Sequence, residues 1–216
     1  MRKHLIFDLD GTLVDSCAIC CDILGAMLAE RGSDLALDAQ AARPWMSVGG
    51  AKMVAALLGE ACGDPDAEIA EFRRRYALLQ TSADSLFPHV AGGLARLAQA
   101  GHGLSICSNK PQNLIENVLR DTGLSGLFTA VVGQGTGLKS KPAPDMLDAV
   151  LAQIGAAPRE CLFIGDSEID HQVAENAGMD FLFVTYGYAH ADYVAPEDSF
   201  DCFGKLTEAV LAGHHA

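Results

Sequence analysis

Two aspartates near the amino terminus, Asp8 and Asp10, are the residues of this sequence best suited to chemistry. They follow the apolar run 5–7 and precede Gly11. Residues two apart on a strand point to the same side, so the carboxylates converge unless the chain bends between them. Two neighbouring anions at a buried strand end are costly without a cation, which favours a metal-assisted site for nucleophilic attack and proton transfer. The alternative is an ordinary Asp-Gly turn, and this motif alone does not decide between the two.

Two further segments carry polar side chains where predicted strands end. Ser108 and Asn109 follow one strand, Asp166 and Asp170 follow another, and Lys141 lies between them, before a predicted helix. Because a parallel sheet brings the carboxyl ends of its strands to one edge, we expect these side chains to meet the two aspartates. A lysine and helix amino termini bind phosphoryl groups, and clustered carboxylates favour Mg²⁺.

The elements that would position these residues alternate between strands and helices from residue 84 onward. Apolar runs predict strands, and periodic segments that end at glycine predict helices. The predicted strands are 5–7, 104–107, 130–132, 161–164 and 181–184, and the predicted helices are 90–100, 111–122, 143–154, 168–177 and 204–211. This order predicts an α/β fold with a doubly wound parallel sheet.

Residues 15–83 interrupt the alternation, because they show helical patterns and no convincing strand. The predicted helices here are 15–30, 51–62 and 65–80, with 39–47 irregular. We therefore expect a Rossmann-like core formed by residues 1–14 and 84–216, with an inserted all-α cap domain at 15–83. The insertion follows the strand that carries the two aspartates, where a lid over the site would sit.

Composition limits the class of protein. The 216 residues suit one domain with an insertion, and half of them are hydrophobic, which is enough for a core. No apolar run approaches the roughly 20 residues of a membrane helix, and no signal-peptide core follows the first residues, so we expect a cytoplasmic location and no membrane partner. The net charge of −13 argues against nucleic acid as a partner. Seven cysteines, an odd number and mostly in apolar segments, favour reduced thiols.

Four segments in this order resemble the motifs of the haloacid dehalogenase superfamily. They read D-x-D-G-T from Asp8, S-N from Ser108, K-P-x-P-D from Lys141 and G-D-S-x-x-D from Gly165. The resemblance covers the whole predicted core. It implies Mg²⁺-dependent hydrolysis of a phosphate ester through an aspartyl-phosphate, by a protein that is a monomer or a homodimer.

The resemblance also implies a role for each matched residue. Asp8 would attack phosphorus, and Asp10 would protonate the leaving oxygen and then take a proton from water. The expected phosphate contacts are Thr12, Ser108, Asn109 and Lys141. The expected magnesium ligands are Asp8, the backbone carbonyl of Asp10 and Asp166, with Asp170 supporting a metal-bound water. Lys139 competes for the cationic role, but Lys141 holds the position before proline.

Two positions discriminate within the superfamily. Dehalogenase members carry an aromatic residue, and phosphonate-cleaving members a small one, where this chain has Asp10, so a phosphate ester is favoured. Mutase relatives carry a histidine where this chain has Cys20, so transfer to water is favoured. The alternatives are a sugar-phosphate phosphatase, a β-phosphoglucomutase-like mutase, or a non-catalytic binding module. The last would be expected to lack Asp8, Lys141 or Asp166.

Residues 43–50, R-P-W-M-S-V-G-G, resemble the cap loop R-x-W-x-G-x-G of phosphoglycolate phosphatases, although the glycine spacing differs. The resemblance makes 2-phosphoglycolate the expected substrate. Arg43 or Lys52 would bind its carboxylate, unless both lie on the surface.

Three other features carry predictions of their own. We expect Trp45 to anchor the interior of the cap, and the run 73–75, three arginines, to be a solvated helix face. The pair His214-His215 is too short to predict a metal site.

Overall fold

A parallel sheet forms the centre of the molecule, in a computed structural model that describes residues 3–135 and 137–213. Within these ranges the sheet has six strands in the order β3-β2-β1-β4-β5-β6, and every neighbouring pair is parallel. The strands are β1 (His4–Phe7), β2 (Gly103–Pro111), β3 (Ala130–Gln134), β4 (Cys161–Gly165), β5 (Asp180–Val184) and β6 (Ser199–Phe200). The predicted α/β fold is confirmed, whereas β6 has only two residues and gives no sequence signal. The pair at 214–215 lies outside the described residues.

Helices pack on both faces of this sheet. Leu5 and Phe7 of β1 point into one apolar cluster and Ile6 points into the other, as expected for alternating side chains on a strand buried on both sides. The core helices are α5 (Val90–Gln99), α6 (Gln112–Asp121), α7 (Asp145–Ile154), α8 (Glu168–Asn176) and α9 (Phe203–Leu211). In the described ranges, no helix combines the length and the apolar character that crossing a membrane requires.

Residues 15–83 contain helices and turns and no strand. The helices are α1 (Cys17–Glu30), α2 (Ala39–Ala42), α3 (Gly50–Leu58) and α4 (Pro65–Leu78). Helix α4 packs against α1 and α3, so these helices bury apolar faces against one another. We call residues 15–83 the cap segment; its independence as a domain stays a prediction.

Two predictions within the cap segment are wrong. The stretch 39–47 is not irregular, because α2 runs directly into a 3₁₀ turn at Arg43–Trp45. Trp45 does not anchor the interior, since 44% of its surface is exposed. The short turn that carries Trp45 leaves its ring at the surface.

Candidate active site

A cavity of about 140 Å³ lies between the carboxyl edge of the sheet and the cap segment. This is below the roughly 300 Å³ at which sites for drug-sized ligands begin, so the cavity suits a small metabolite. Its core side, which we call the catalytic edge, comprises Asp8, Asp10, Ser108, Lys110, Lys141, Asp166 and Asp170. Its other side, the cap wall, comprises Met46, Met53, Ile69, Phe72, Arg73 and Tyr76.

Asp8 stands where β1 leaves the sheet. Its backbone N–H donates to the carbonyl of Ile164 at 2.9 Å, which continues the pairing of β1 with β4. The chain then turns at Gly11, whose φ is +83°. A Cβ at Gly11 would lie 2.2 Å from Oδ2 of Asp166, so only glycine fits between the turn and this carboxylate. The turn therefore allows Asp8 and Asp166 to share one end of the cavity.

Lys141 is the buried cation of the catalytic edge. Its Nζ lies 3.1 Å from Oδ1 of Asp8 and 2.6 Å from Oδ1 of Asp170. Burial alone would lower the pKa of Lys141, but the carboxylates of Asp170 and Asp8 raise it above its ordinary value, so the ammonium stays charged. Lys139 is exposed, so of these two lysines Lys141 is the one that reaches Asp8.

Asn109 holds the backbone of Lys141. Its Oδ1 accepts from the Lys141 N–H at 2.8 Å, and its Nδ2 donates to the Lys141 carbonyl at 3.0 Å. Both ends of the Asn109 side-chain amide are therefore engaged by the lysine backbone, and the predicted phosphate contact of Asn109 stays a prediction. Ser108 is almost fully buried and lines the cavity, as its predicted phosphate contact requires.

The carboxylates of Asp8, Asp166 and Asp170 form a cluster that could hold a cation. One oxygen from each lies within 4.8 Å of the others. Burial is the largest cause that raises the pKa of Asp8, to about 6, and the pKa of Asp166 well above its usual range. Oδ1 of Asp8 is buried and faces the Lys141 ammonium at 3.1 Å, and it accepts no further hydrogen bond from the described residues. An oxygen-rich, under-neutralised cluster of this kind fits Mg²⁺.

Both carboxylate oxygens of Asp170 have protein partners, one of which is the ammonium of Lys141. Oδ1 contacts Lys141, while Oδ2 accepts from the N–H and the hydroxyl of Ser167 at 3.1 and 2.6 Å. Ser167 in turn caps α8, so Asp170 is fixed at the start of a helix. This arrangement orients the lysine, and the support of a metal-bound water by Asp170 stays a prediction.

Thr12 is fully buried, and its hydroxyl donates to Oδ1 of Asp166 at 3.3 Å. The Thr12 side chain therefore contacts a carboxylate and does not line the cavity, so its phosphate contact stays a prediction that this geometry does not support. Asp166 is also held by the backbone N–H of Tyr188, which donates to Oδ2 at 2.8 Å. Thr12 and Tyr188 thus orient the carboxylate of Asp166.

Asp10 has a partner that the sequence analysis missed. Nζ of Lys110 lies 3.0 and 3.2 Å from the two carboxylate oxygens of Asp10, and 4.0 Å from the centre of the Tyr76 ring. Burial would lower the pKa of Lys110, but Asp10 raises it above its ordinary value. Lys110 directly follows the S-N motif at the same strand end. This position could have predicted that Lys110 lies near Asp10.

Neither predicted substrate-binding residue of the cap segment lines the cavity. Arg43 forms an ion pair with Oδ2 of Asp15 at 2.9 Å and donates to the carbonyls of Tyr186 and Gly187 at 2.9 and 3.1 Å. Lys52 is exposed on α3. Arg43 therefore joins the cap segment to the loop after β5, and the prediction that either residue binds the substrate carboxylate is not supported.

The three consecutive arginines of α4 have different environments. Arg74 and Arg75 form ion pairs with Glu71 and Glu30 on the outside of the cap segment. Arg73 instead lines the cavity, and its Nη2 donates to Oε1 of Gln134 at 2.9 Å. The predicted solvated face is thus wrong for Arg73. Positions 69, 72, 73 and 76 share one helix face, and this periodicity was the missed signal.

Cys20 of α1 also lines the cavity. Burial raises its pKa to about 12, so the thiol stays protonated and does not act as an acid or base near neutral pH. All seven cysteines are free, which agrees with the prediction of reduced thiols.

Comparisons with known proteins find one family. A family model described as haloacid dehalogenase-like hydrolase matches residues 5–184. A phosphoglycolate phosphatase from Yersinia pestis is 32% identical over 96% of this chain and 93% of its own length. One from Rhodospirillum rubrum is 36% identical over 88% of this chain and 82% of its own length. The crystal structure of a candidate phosphoglycolate phosphatase from Lactobacillus delbrueckii subsp. bulgaricus has a TM-score of 0.82 and 26% identity, and covers 97% of this chain and 98% of that one.

Proposed function

The chain belongs to the haloacid dehalogenase-like hydrolase family, and from this membership we propose that it hydrolyses a small phosphate monoester, with 2-phosphoglycolate as the best candidate. The observation that carries the proposal is the pairing of Asp8 with Lys141 in one small cavity with Asp10. Retention of Asp8, Lys141 and Asp166 argues against the non-catalytic binding module. The thiol at Cys20 argues against the mutase, because it offers no acid or base for transfer to a sugar.

In the first step, a carboxylate oxygen of Asp8 attacks phosphorus and the bond from phosphorus to the ester oxygen breaks. The Lys141 ammonium, held by Asp8 and Asp170, offsets the negative charge that gathers on the phosphoryl oxygens. Ser108 of β2, which lines the cavity, offers a hydroxyl to those oxygens. Asp10 donates a proton to the departing oxygen, which leaves as an alcohol.

In the second step, water attacks the phosphorus of the aspartyl-phosphate and the bond to Asp8 breaks, which releases inorganic phosphate. Asp10, now ionised, accepts the proton of this water. Lys110 contacts both carboxylate oxygens of Asp10 and so holds this carboxylate in place. One aspartate thus serves as acid and then as base, as proton balance requires.

A magnesium ion would be held by Asp8 and Asp166, with the backbone carbonyl of Asp10 as a further ligand. When bound, it would neutralise phosphoryl charge and bring substrate and nucleophile together. Asp166 is kept in place for this by Thr12 and Tyr188. Asp170 contributes by holding Lys141, with both oxygens already engaged.

The substrate assignment draws on the relatives named phosphoglycolate phosphatase and on the size of the cavity. A two-carbon ester fits 140 Å³ more readily than a nucleotide. A cytoplasmic location, the absence of nucleic acid and membrane partners, and a monomeric or homodimeric state remain predictions.

The test is phosphate release from a panel of esters with and without Mg²⁺. The panel holds 2-phosphoglycolate, sugar phosphates, nucleotides and p-nitrophenyl phosphate, with Asp8→Asn as the blank. Asp22→Asn, on the exposed side of α1, is the matched control and should behave as wild type. Magnesium-dependent release that requires Asp8, fastest for 2-phosphoglycolate, supports the proposal. Release that is equal in Asp8→Asn would remove Asp8 from the mechanism, and a preference for sugar phosphates would overturn the substrate.

A further inference from the structure

We infer that Arg73 binds the carboxylate of the substrate and so selects phosphate esters that carry a second anionic group. The inference deepens the proposed function and rests on it. It starts from the cations of the cavity, of which the described residues supply three, Lys110, Lys141 and Arg73. Lys141 is paired with Asp8 and Asp170, and Lys110 is paired with Asp10. Arg73 is the cavity cation without a carboxylate partner among the described residues.

The guanidinium of Arg73 is oriented by a neutral group. Nη2 donates to Oε1 of Gln134, and Nε2 of Gln134 donates to Oγ of Ser140 at 2.8 Å. Ser140 directly precedes Lys141. The amide of Gln134 therefore fixes one nitrogen of Arg73 near the loop of the catalytic lysine and leaves the positive charge of the arginine uncompensated.

The surroundings of Arg73 strengthen its attraction for an anion. Ile69, Phe72 and Tyr76 place apolar surface beside it on the cap wall. Burial lowers the pKa of Arg73, which reflects the cost of holding a charge there without a partner. A carboxylate that enters would offset this cost, and a planar guanidinium can offer it two parallel hydrogen bonds.

The start of α3 lies beside the same guanidinium. A Cβ at Gly50 would be 4.0 Å from Nη2 of Arg73, and no side chain caps this helix. The positive end of the α3 dipole therefore adds to the field of Arg73 at this side of the cavity. The two anionic groups of 2-phosphoglycolate then each have a cation in the cavity: Lys141 for the phosphate and Arg73 for the carboxylate.

The experiment compares 2-phosphoglycolate with 2-hydroxyethyl phosphate, which has a neutral hydroxymethyl group in place of the carboxylate. Wild type, Arg73→Gln, Arg73→Lys and the exposed control Arg74→Gln are assayed with Mg²⁺ for kcat and KM. We expect Arg73→Gln to raise the KM for 2-phosphoglycolate about 30-fold, since a charged hydrogen bond is lost. The rise for 2-hydroxyethyl phosphate should be about tenfold smaller. Arg73→Lys should recover part of the difference, and Arg74→Gln should match wild type.

Equal rises for both esters would overturn the inference, because a structural role of Arg73 would not distinguish them. An Arg73-dependent preference for ethylene glycol bisphosphate over 2-phosphoglycolate would overturn the choice of a carboxylate. If wild type hydrolyses neither ester, the proposed function fails. The role of Arg73 is then tested separately, by measuring the binding of the two esters by calorimetry. Tighter binding of 2-phosphoglycolate that is lost in Arg73→Gln would support the inference, and binding without that difference would overturn it.

Discussion

The two sides of the cavity differ in how their charges are held. On the catalytic edge, each carboxylate meets a cation or a hydrogen-bond donor, and the lysines lie directly on the aspartates. On the cap wall, Arg73 lies among apolar side chains, and the described residues give it a neutral amide, and no carboxylate, as its partner. The charged groups of the edge are thus already paired with one another, whereas the positive charge of Arg73 on the wall can pair with an anionic ligand.

This difference follows from how the two sides are built. The edge is assembled from strand ends and the turns that follow them, where one or two residues of sequence fix a position at the sheet. The wall is assembled from the inward faces of helices, and its side chains lie three or four residues apart. Changes on the edge should therefore reduce catalysis of every ester, and changes on the wall should alter which ester is preferred.

The largest expected effect on the edge comes from Lys141→Met, measured against Lys139→Met. Removal of the buried ammonium leaves Asp8 and Asp170 as unpaired neighbouring anions, so kcat/KM should fall about 10³-fold for all esters. Stability should fall by about 3 kcal/mol, as when one partner of a buried ion pair is removed. Steady-state kinetics below the unfolding midpoint and urea titration measure the two effects. The exposed Lys139 variant should change neither, and equal losses in both variants would contradict the assignment.

A smaller loss that depends on the ester is expected for Asp10→Asn. An alkyl phosphate needs a proton on its leaving oxygen, so its turnover should fall about 10²-fold or more. p-Nitrophenol leaves without a proton, so the first turnover of p-nitrophenyl phosphate should remain fast and the second step should become slow. Rapid-mixing absorbance should then show a burst of about one nitrophenol per site. Equal slowing of both esters with no burst would argue against Asp10 as acid and base.

The edge was largely predictable from the sequence, because its residues follow apolar runs that form the strands. The contacts of the neighbouring Thr12 and Asn109 were not, since both side chains have the polar character of phosphate ligands but contact Asp166 and the Lys141 backbone. Nothing in residue type tells a hydroxyl that faces the cavity from one that lies beneath it.

The wall was harder to predict. A resemblance of the loop at 43–50 predicted that Arg43 binds the substrate. Its guanidinium instead contacts Asp15 and the loop after β5. Arg73 belongs to a run of three arginines that was predicted to be a solvated helix face. Helix periodicity alone would have separated it from Arg74, because Arg73 shares a face with Ile69 and Tyr76. Periodicity could not predict the hydrogen-bond partner of Arg73, because Gln134 is 61 residues away along the chain.

A stability measurement sharpens the contrast between the rigid edge and the helices behind the wall. Gly11→Ala places a methyl group against Asp166 at a positive φ, so it should destabilise the protein by at least about 2 kcal/mol. Gly25→Ala, within α1 and with no atom within 4 Å of the added carbon, should stabilise it by about 1 kcal/mol. Urea midpoints compare the two. A destabilising Gly25→Ala, or a neutral Gly11→Ala, would contradict the packing described.

The smallest expected effect concerns the two residues first considered for substrate binding. Arg43→Ala removes a partly exposed ion pair and two hydrogen bonds to carbonyls between the cap segment and the core, so stability should fall by about 1 kcal/mol. Lys52→Ala, on the exposed side of α3, should stay within about 0.5 kcal/mol of wild type. Because neither side chain lines the cavity, the ratio of KM values for 2-phosphoglycolate and 2-hydroxyethyl phosphate should stay as in wild type for both variants. The ratio could instead change in Arg43→Ala as much as is expected for Arg73→Gln. That result would assign substrate specificity to the loop at 43–50 and not to Arg73.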